Sequence, residues 1–344
     1  MAQQVTPVGI MGTGIRVPER VLTNEDLERM VDTSDEWIRT RTGIRERHIA
    51  AEGEAASDLA IGAARRALED ARVSPEELDL IIVATNSPDM LFPATACLVQ
   101  DALGAGRAGA FDLQAGCTGF LYALSCGGQF IAAGNMKRVL VIGTEALSRL
   151  INWQDRNTCV LFGDGAGAVV LGPVPEGYGI LATRLGSEGK GAPLISLPGG
   201  LSRHPASAET LAGNQHYIYM NGREVFKFAV KVMFDGCLEI LQAAGLTADQ
   251  LDCLIPHQAN IRIIEAAAKR LELPMDRVWV NVDRYGNTSA ASIPLALHEA
   301  LEAGRIKNGD NVVMVAFGAG LTWGAMALRW YDCRAGQQMA KGDG

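Results

Sequence analysis

The chain has 344 residues, 48% apolar and 20% charged, which suits one large or two fused folded domains and excludes a disordered polypeptide. A net charge of −8 argues against nucleic acid as a partner, so an acidic partner has to be met by a local basic patch. No apolar run reaches the roughly 18 residues of a membrane helix, and the seven cysteines show neither a CxxC pair nor a metal-ligand spacing.

The N-terminus, Met1-Ala2-Gln3-Gln4-Val5, lacks the basic and then apolar pattern of a signal peptide. With an odd number of cysteines, this predicts a reduced cytoplasmic compartment, with no bound metal and no membrane anchor. A helix over about 56–71 leads through Val73-Ser74-Pro75-Glu76-Glu77-Leu78 into a buried strand, Asp79-Leu80-Ile81-Ile82-Val83-Ala84-Thr85. A second strand ends at Gly109-Ala110-Phe111-Asp112-Leu113-Gln114. A tight turn at Ala115-Gly116 follows, and then a helix of small and apolar residues from Cys117 to about Ala133. A thiol on the first turn of a helix meets unpaired N–H groups and the positive end of the dipole, and both favour thiolate. Position alone is equally compatible with a small core residue, as expected for Cys97, Cys126, Cys159, Cys237 and Cys253.

Arg138-Val139-Leu140-Val141-Ile142-Gly143 is the next strand. Phe162-Gly163-Asp164-Gly165-Ala166-Gly167 then invites comparison with a nucleotide loop. No Lys-Ser/Thr follows and Ala168-Val169-Val170-Leu171 continues as a strand, so its glycines are read as serving close backbone packing. Residues 226–258 replay the first pattern. A helix ends at Ala244-Gly245, Leu246-Thr247-Ala248-Asp249-Gln250-Leu251 connects, and Asp252-Cys253-Leu254-Ile255-Pro256-His257 is the strand, 173 residues on. The helix after Asn287 ends at Ala303-Gly304 before Asn311-Val312-Val313-Met314-Val315-Ala316, 170 residues beyond its counterpart. Two matches at nearly one offset predict a duplicated α/β unit, with halves over 1–174 and 175–330 and a polar tail over 331–344. Continuous apolar strands between amphipathic helices predict sheets covered on both faces, stacked as five layers, α-β-α-β-α. Such a pseudo-twofold brings Cys117, His257 and Asn287 toward the centre.

Six segments in order carry a specific resemblance. They are Trp37-Ile38-Arg39-Thr40-Arg41-Thr42-Gly43-Ile44, Gln114-Ala115-Gly116-Cys117-Thr118-Gly119-Phe120, Phe162 to Ala168, Pro256-His257-Gln258-Ala259-Asn260, Gly286-Asn287-Thr288-Ser289-Ala290-Ala291 and Ala316-Phe317-Gly318-Ala319-Gly320. Over about residues 6–330 the chain resembles the β-ketoacyl-acyl-carrier-protein synthase III family, initiating condensing enzymes on the thiolase fold. The resemblance implies that Cys117 takes an acyl group from acyl-CoA, with no cofactor, and that malonyl-acyl-carrier protein then loses CO₂ and attacks the thioester. It gives His257 and Asn287 the developing enolate. It gives the backbone N–H groups of Cys117 and Ala319 the tetrahedral oxyanion, although alanine replaces the middle glycine often found there. Phe317 is the aromatic beside the cysteine.

The resemblance further implies that Trp37, Arg41 and Arg156 bind CoA. Lys227, Arg262, Lys269 and Arg270 would meet the acidic carrier protein; Lys227 is expected just before its helix, and Glu265 shares the stripe of Arg262 and Lys269. It implies a homodimer paired near 109–114, in which Phe92 closes the partner's primer pocket. A thiolase would need a second cysteine near Phe317, elongating condensing enzymes a second histidine in place of Asn287, and plant-type polyketide synthases a different context for His257. A relative serving secondary metabolism stays open, as does a non-catalytic partner subunit, although such a subunit would be expected to have lost the cysteine.

Overall fold

The computed structural model describes residues 6–333, so the expected tail lies outside the described residues from position 334 onward. The first sheet holds β1 (Val8–Arg16), β2 (Leu80–Ala84), β3 (Gly109–Leu113), β4 (Val139–Glu145) and β5 (Gly165–Pro173) in the order β1-β5-β4-β2-β3. The second holds β6 (Gly179–Ser187), β7 (Cys253–Pro256), β8 (Asn311–Gly318) and β9 (Thr322–Arg329) in the order β6-β9-β8-β7. Pairing runs antiparallel, antiparallel, parallel from β1 through β2, and again from β6 through β7. The duplication is therefore one of topology as well as of sequence pattern. Strand β3 extends the first sheet by a parallel edge that has no counterpart among the described residues of the second.

Each helix follows from its apolar spacing. In α2 (Ala56–Ala71) Leu59, Ala60, Ala63, Ala64, Ala67, Leu68 and Ala71 form one buried face, and the helix ends where Arg72 turns left-handed at φ 56°. It covers the first sheet from outside with α3 (Thr95–Leu103). The outer face of the second sheet is covered by α5 (Gly222–Ala243) and α6 (Ile261–Arg270). Between the sheets lie α4 (Gly119–Ala132) and α7 (Ser292–Glu302), which begin 173 residues apart. Their Phe120, Leu121, Leu124, Ile293 and Leu297 join Ile82, Val141 and Val169 of one sheet to Ile255, Met314 and Met326 of the other in a single core. The architecture is the expected five layers, with mixed sheets.

Candidate active site

Strand β3 delivers the chain to the turn at Ala115-Gly116, where Gly116 has φ +59°. A Cβ on Gly116 would lie 2.6 Å from the Ala319 nitrogen, and one on Gly318 would lie 2.4 Å from the Cys117 nitrogen. Only glycine permits this backbone-to-backbone approach, so the two loops interlock beside the thiol. Thr322 braces them, its one hydroxyl proton within reach of both Ala115 O at 2.8 Å and Ala319 O at 3.0 Å. The helix begins at Gly119, two residues later than expected, with Thr118 as its cap. Cys117 therefore sits just outside α4. The expectation of a favoured thiolate is also corrected: burial pushes the Cys117 thiol up to about 12, the Glu145 carboxylate adds to this, and Ser289 opposes it. Packing of the central layer outweighs the helix end.

His257 follows β7, its N–H donating to Val315 O at 2.8 Å. Its Nδ1 lies 2.6 Å from Ser292 Oγ, its Nε2 is buried with no hydrogen-bond partner among the described residues, and its ring meets Phe317 edge-on at 5.2 Å. Burial pushes the imidazole down to about 3, so it is neutral at working pH. Asn287 is held through its main chain, which donates to Leu161 O at 2.8 Å and accepts from Gly163 N at 3.1 Å. Gly286, at φ +63°, makes this approach possible. The Asn287 Oδ1 accepts from Ser289 N at 2.9 Å, which leaves its Nδ2 protons for the cavity.

These side chains converge. A cavity of about 590 Å³ is lined at its floor by Cys117, His257, Asn287 and Phe317, and toward solvent by Arg41, Arg223, Lys227 and Arg262. A second, apolar cavity of about 150 Å³ opens from Cys117 between Leu147, Leu150, Phe162, Leu197 and Ile218. Trp37, in α1 (Asp35–Thr42), has the Arg41 guanidinium 4.7 Å and the Arg156 guanidinium 5.3 Å from its ring centre. Arg156 also pairs with Asp32 at 3.3 Å.

Lys227 lies inside α5 rather than ahead of it, paired with Glu224 at 2.7 Å, because Asn221 caps the helix earlier than its apolar run suggests. Lys269 and Arg270 end α6, away from the cavity lining, and Arg270 lies 4.0 Å over the Phe234 ring. Phe92 is 79% exposed and lines neither cavity of its own chain.

Asp164 accepts from Ala50 N and Ser148 N at 2.8 Å each, and Gly163 runs against Tyr285 O, so the glycine-rich segment is a packing device as expected. Cys159, Cys237 and Cys253 are buried, whereas Cys97 is exposed and Cys126 half-buried, which departs from the expected core role. Sequence reasoning missed Arg223, Ser289, Ser292, Asn86 and Glu145. Ser289 stood inside a motif already singled out, and Ser292 immediately after it.

A duplicated five-layer fold that brings a cysteine, a neutral imidazole and a carboxamide to the end of one channel defines a condensing enzyme of the thiolase-fold class. Family profiles described as 3-oxoacyl-[acyl-carrier-protein (ACP)] synthase III and its C terminal match residues 111–189 and 241–330. The chain is 62% identical over 327 residues to beta-ketoacyl-[acyl-carrier-protein] synthase III of Symbiobacterium thermophilum, covering 95% of this chain and 99% of that protein. The crystal structure of 3-oxoacyl-[acyl-carrier-protein] synthase III from Aquifex aeolicus VF5 matches at TM-score 0.87 and 52% identity, over 94% of this chain and 100% of that one. The priming beta-ketosynthase of the R1128 polyketide pathway matches at TM-score 0.89 and 36% identity, over 96% and 98%. The chain belongs to the β-ketoacyl-acyl-carrier-protein synthase III family. It is an acyltransferase, the condensing enzyme that initiates fatty-acid synthesis.

Proposed function

We propose that Cys117 attacks an acyl-CoA thioester, with the Cys117 and Ala319 N–H groups holding the oxyanion, and keeps the acyl group while CoA departs. Malonyl-acyl-carrier protein then enters the same channel. Nε2–H of His257 and Nδ2–H of Asn287 hold its thioester oxygen as CO₂ leaves, and the carbanion attacks the acyl-Cys117 carbonyl. The carbon–sulfur bond to Cys117 then breaks, which releases 3-oxoacyl-carrier protein and returns the thiol after protonation. Ser292 donating to Nδ1 keeps the Nε2–H tautomer, and the Phe317 ring keeps the floor apolar. On this reading the acyl group travels only as a thioester, and no cofactor is needed.

Trp37, Arg41 and Arg156 take the CoA nucleotide. Lys227 and Arg262, with Arg223 beside them, form the carrier-protein patch, which Lys269 and Arg270 extend. The halves 1–174 and 175–330 act as one body around the shared core. The protein works in the cytoplasm as a homodimer joined along β3, whose outer edge is unpaired among the described residues, and Phe92 reaches the partner's primer cavity.

The observation that carries the mechanism is the convergence of Cys117, His257 and Asn287 on one cavity floor. Incubation with acetyl-CoA should add one acetyl group to Cys117 by mass spectrometry. Cys117→Ala should lose both the adduct and the condensation. Condensation by that variant at more than a trace would sink the mechanism.

A further inference from the structure

Glu145, the last residue of β4, is fully buried at the end of the first sheet, and the mechanism above gives it nothing to do. It accepts from Ser87 Oγ at 2.6 Å, Asn86 Nδ2 at 2.7 Å, Asn86 N at 3.1 Å and Ala290 N at 3.4 Å. Every one of these neighbours is a donor, which is the environment of a carboxylate. No ion pair accompanies it among the described residues. An isolated buried carboxylate is costly, and its retention beside a reaction centre calls for a use.

The connection to the thiol is Ser289. Asn86 Nδ2, already held by Glu145, also donates to Ser289 Oγ at 3.1 Å. The Cys117 thiol and the Glu145 carboxylate both have the Ser289 side chain as a hydrogen-bonding neighbour. Asn86, Ser289 and Cys117 line one cavity together. The backbone of Ser289 is left-handed at φ 48°, which is uncommon for a side-chain-bearing residue and is held by its N–H bond to Asn287.

We propose that Ser289 is a further catalytic residue of acyl transfer, relaying the Cys117 proton to Glu145, and that Glu145, with Asn86, is the positioning residue that aims it. The S–H bond breaks as a new O–H bond forms on Ser289, whose own proton passes to a Glu145 oxygen. The sulfur bonds the acyl carbon, the carbon–sulfur bond to CoA breaks, and the proton returns through Ser289 to the departing CoA sulfur. Atoms and charge balance without a co-reactant. His257 lines the same cavity as the thiol, and its depressed basicity makes it a poor acceptor. Burial pushes the Glu145 carboxyl up, which makes it a better one.

The inference rests on Cys117 being the nucleophile, so Cys117→Ala is run in parallel. Ser289→Gly keeps the left-handed backbone and removes only the hydroxymethyl group; Ser289→Ala and Glu145→Gln accompany it. Cys117 acylation by acetyl-CoA is followed by rapid-quench mass spectrometry against pH, and malonyl-carrier-protein decarboxylation is followed separately. Both Ser289 variants should lose acylation by roughly 10²-fold, the scale of a missing proton-transfer group, with decarboxylation within about threefold of wild type. Wild-type acylation should fall on an acid limb as Glu145 takes up a proton, and Glu145→Gln should lack that limb. If Glu145→Gln does not fold, Ser289→Gly carries the test. Acylation by Ser289→Gly within about threefold of wild type and with an unchanged limb overturns the relay. An active Cys117→Ala enzyme overturns the reading beneath it.

Discussion

Burial leaves both reacting side chains neutral at rest, since it pushes the Cys117 thiol up to about 12 and the His257 imidazole down to about 3. A raised thiol pKa means that the thiolate appears only as pH climbs toward that value. The ultraviolet absorbance of thiolate, taken as wild type minus Cys117→Ala, should therefore stay flat from about pH 6 to pH 9, where a thiolate–imidazolium pair would already absorb. A lowered imidazole pKa has the opposite sense: His257 gains a proton only as pH falls toward about 3. His257→Ala or Asn287→Ala should keep Cys117 acylation and lose about 10²–10³ in malonyl decarboxylation, the usual size of one lost oxyanion donor. Ser292→Ala should lose less, because it frees the tautomer without removing the donor. Comparing the two half-reactions in each variant checks these assignments, and normal decarboxylation by either of the first two removes that residue from the mechanism.

At the scale of elements, the site is made where the turn after β3 meets the loop after β8. Gly318→Ala places a methyl group 2.4 Å from the Cys117 nitrogen, so one backbone has to move. Acylation should then drop by about 10²-fold or more, with the melting transition still cooperative. Unchanged acylation would show that the two loops need no such contact. The outer helices set the mouth of the channel. Because α6 rises about 1.5 Å per residue, Lys269 stands roughly 10 Å farther along the axis than Arg262. Charge reversal at Arg223, Lys227 and Arg262 should weaken use of malonyl-carrier protein, spare intrinsic Cys117 acylation, and matter less as salt rises. Lys269→Glu should do less than Arg262→Glu. Salt-dependent kinetics decide the ranking, and equal effects from both ends of α6 would point to a broader docking face.

On the scale of the whole molecule, the edge of β3, unpaired among the described residues, and the exposed run Met90, Leu91 and Phe92 (47%, 71% and 79% exposed) offer a surface that a second copy would cover. On the proposal that a second copy's Phe92 closes the cavity of about 150 Å³ beside Cys117, acetyl or a short branched acyl group should be preferred. Phe92→Thr should shift the ranking toward hexanoyl- and dodecanoyl-CoA in graded steps, because each methylene is worth only about 1–3 kcal/mol. Acylation of Cys117 by a panel of acyl-CoAs, with sedimentation to establish the dimer, tests this. A wild-type preference for the twelve-carbon chain would refute it.

The sequence by itself determined the doubled architecture, because buried strands such as Leu80–Ala84 and Cys253–Pro256 carry their apolar runs in the local order of residues, 173 positions apart. It also marked Cys117, His257 and Asn287, whose segments are distinctive whatever surrounds them. Three things were left to the tertiary structure. Protonation was one, since a helix end can be read locally but the desolvation of Cys117 depends on two sheets closing over it. The supporting polar groups were another: Glu145, Asn86, Ser289 and Ser292 look ordinary until strands β2 and β4 and helix α7 bring them to one thiol and one imidazole. The last was reach. Periodicity puts Arg262 and Lys269 on one helical face, but only the seat of α6 against α5 decides that Arg262 stands at the channel mouth with Arg223, because proximity to a cavity is fixed by packing and not by spacing along the chain.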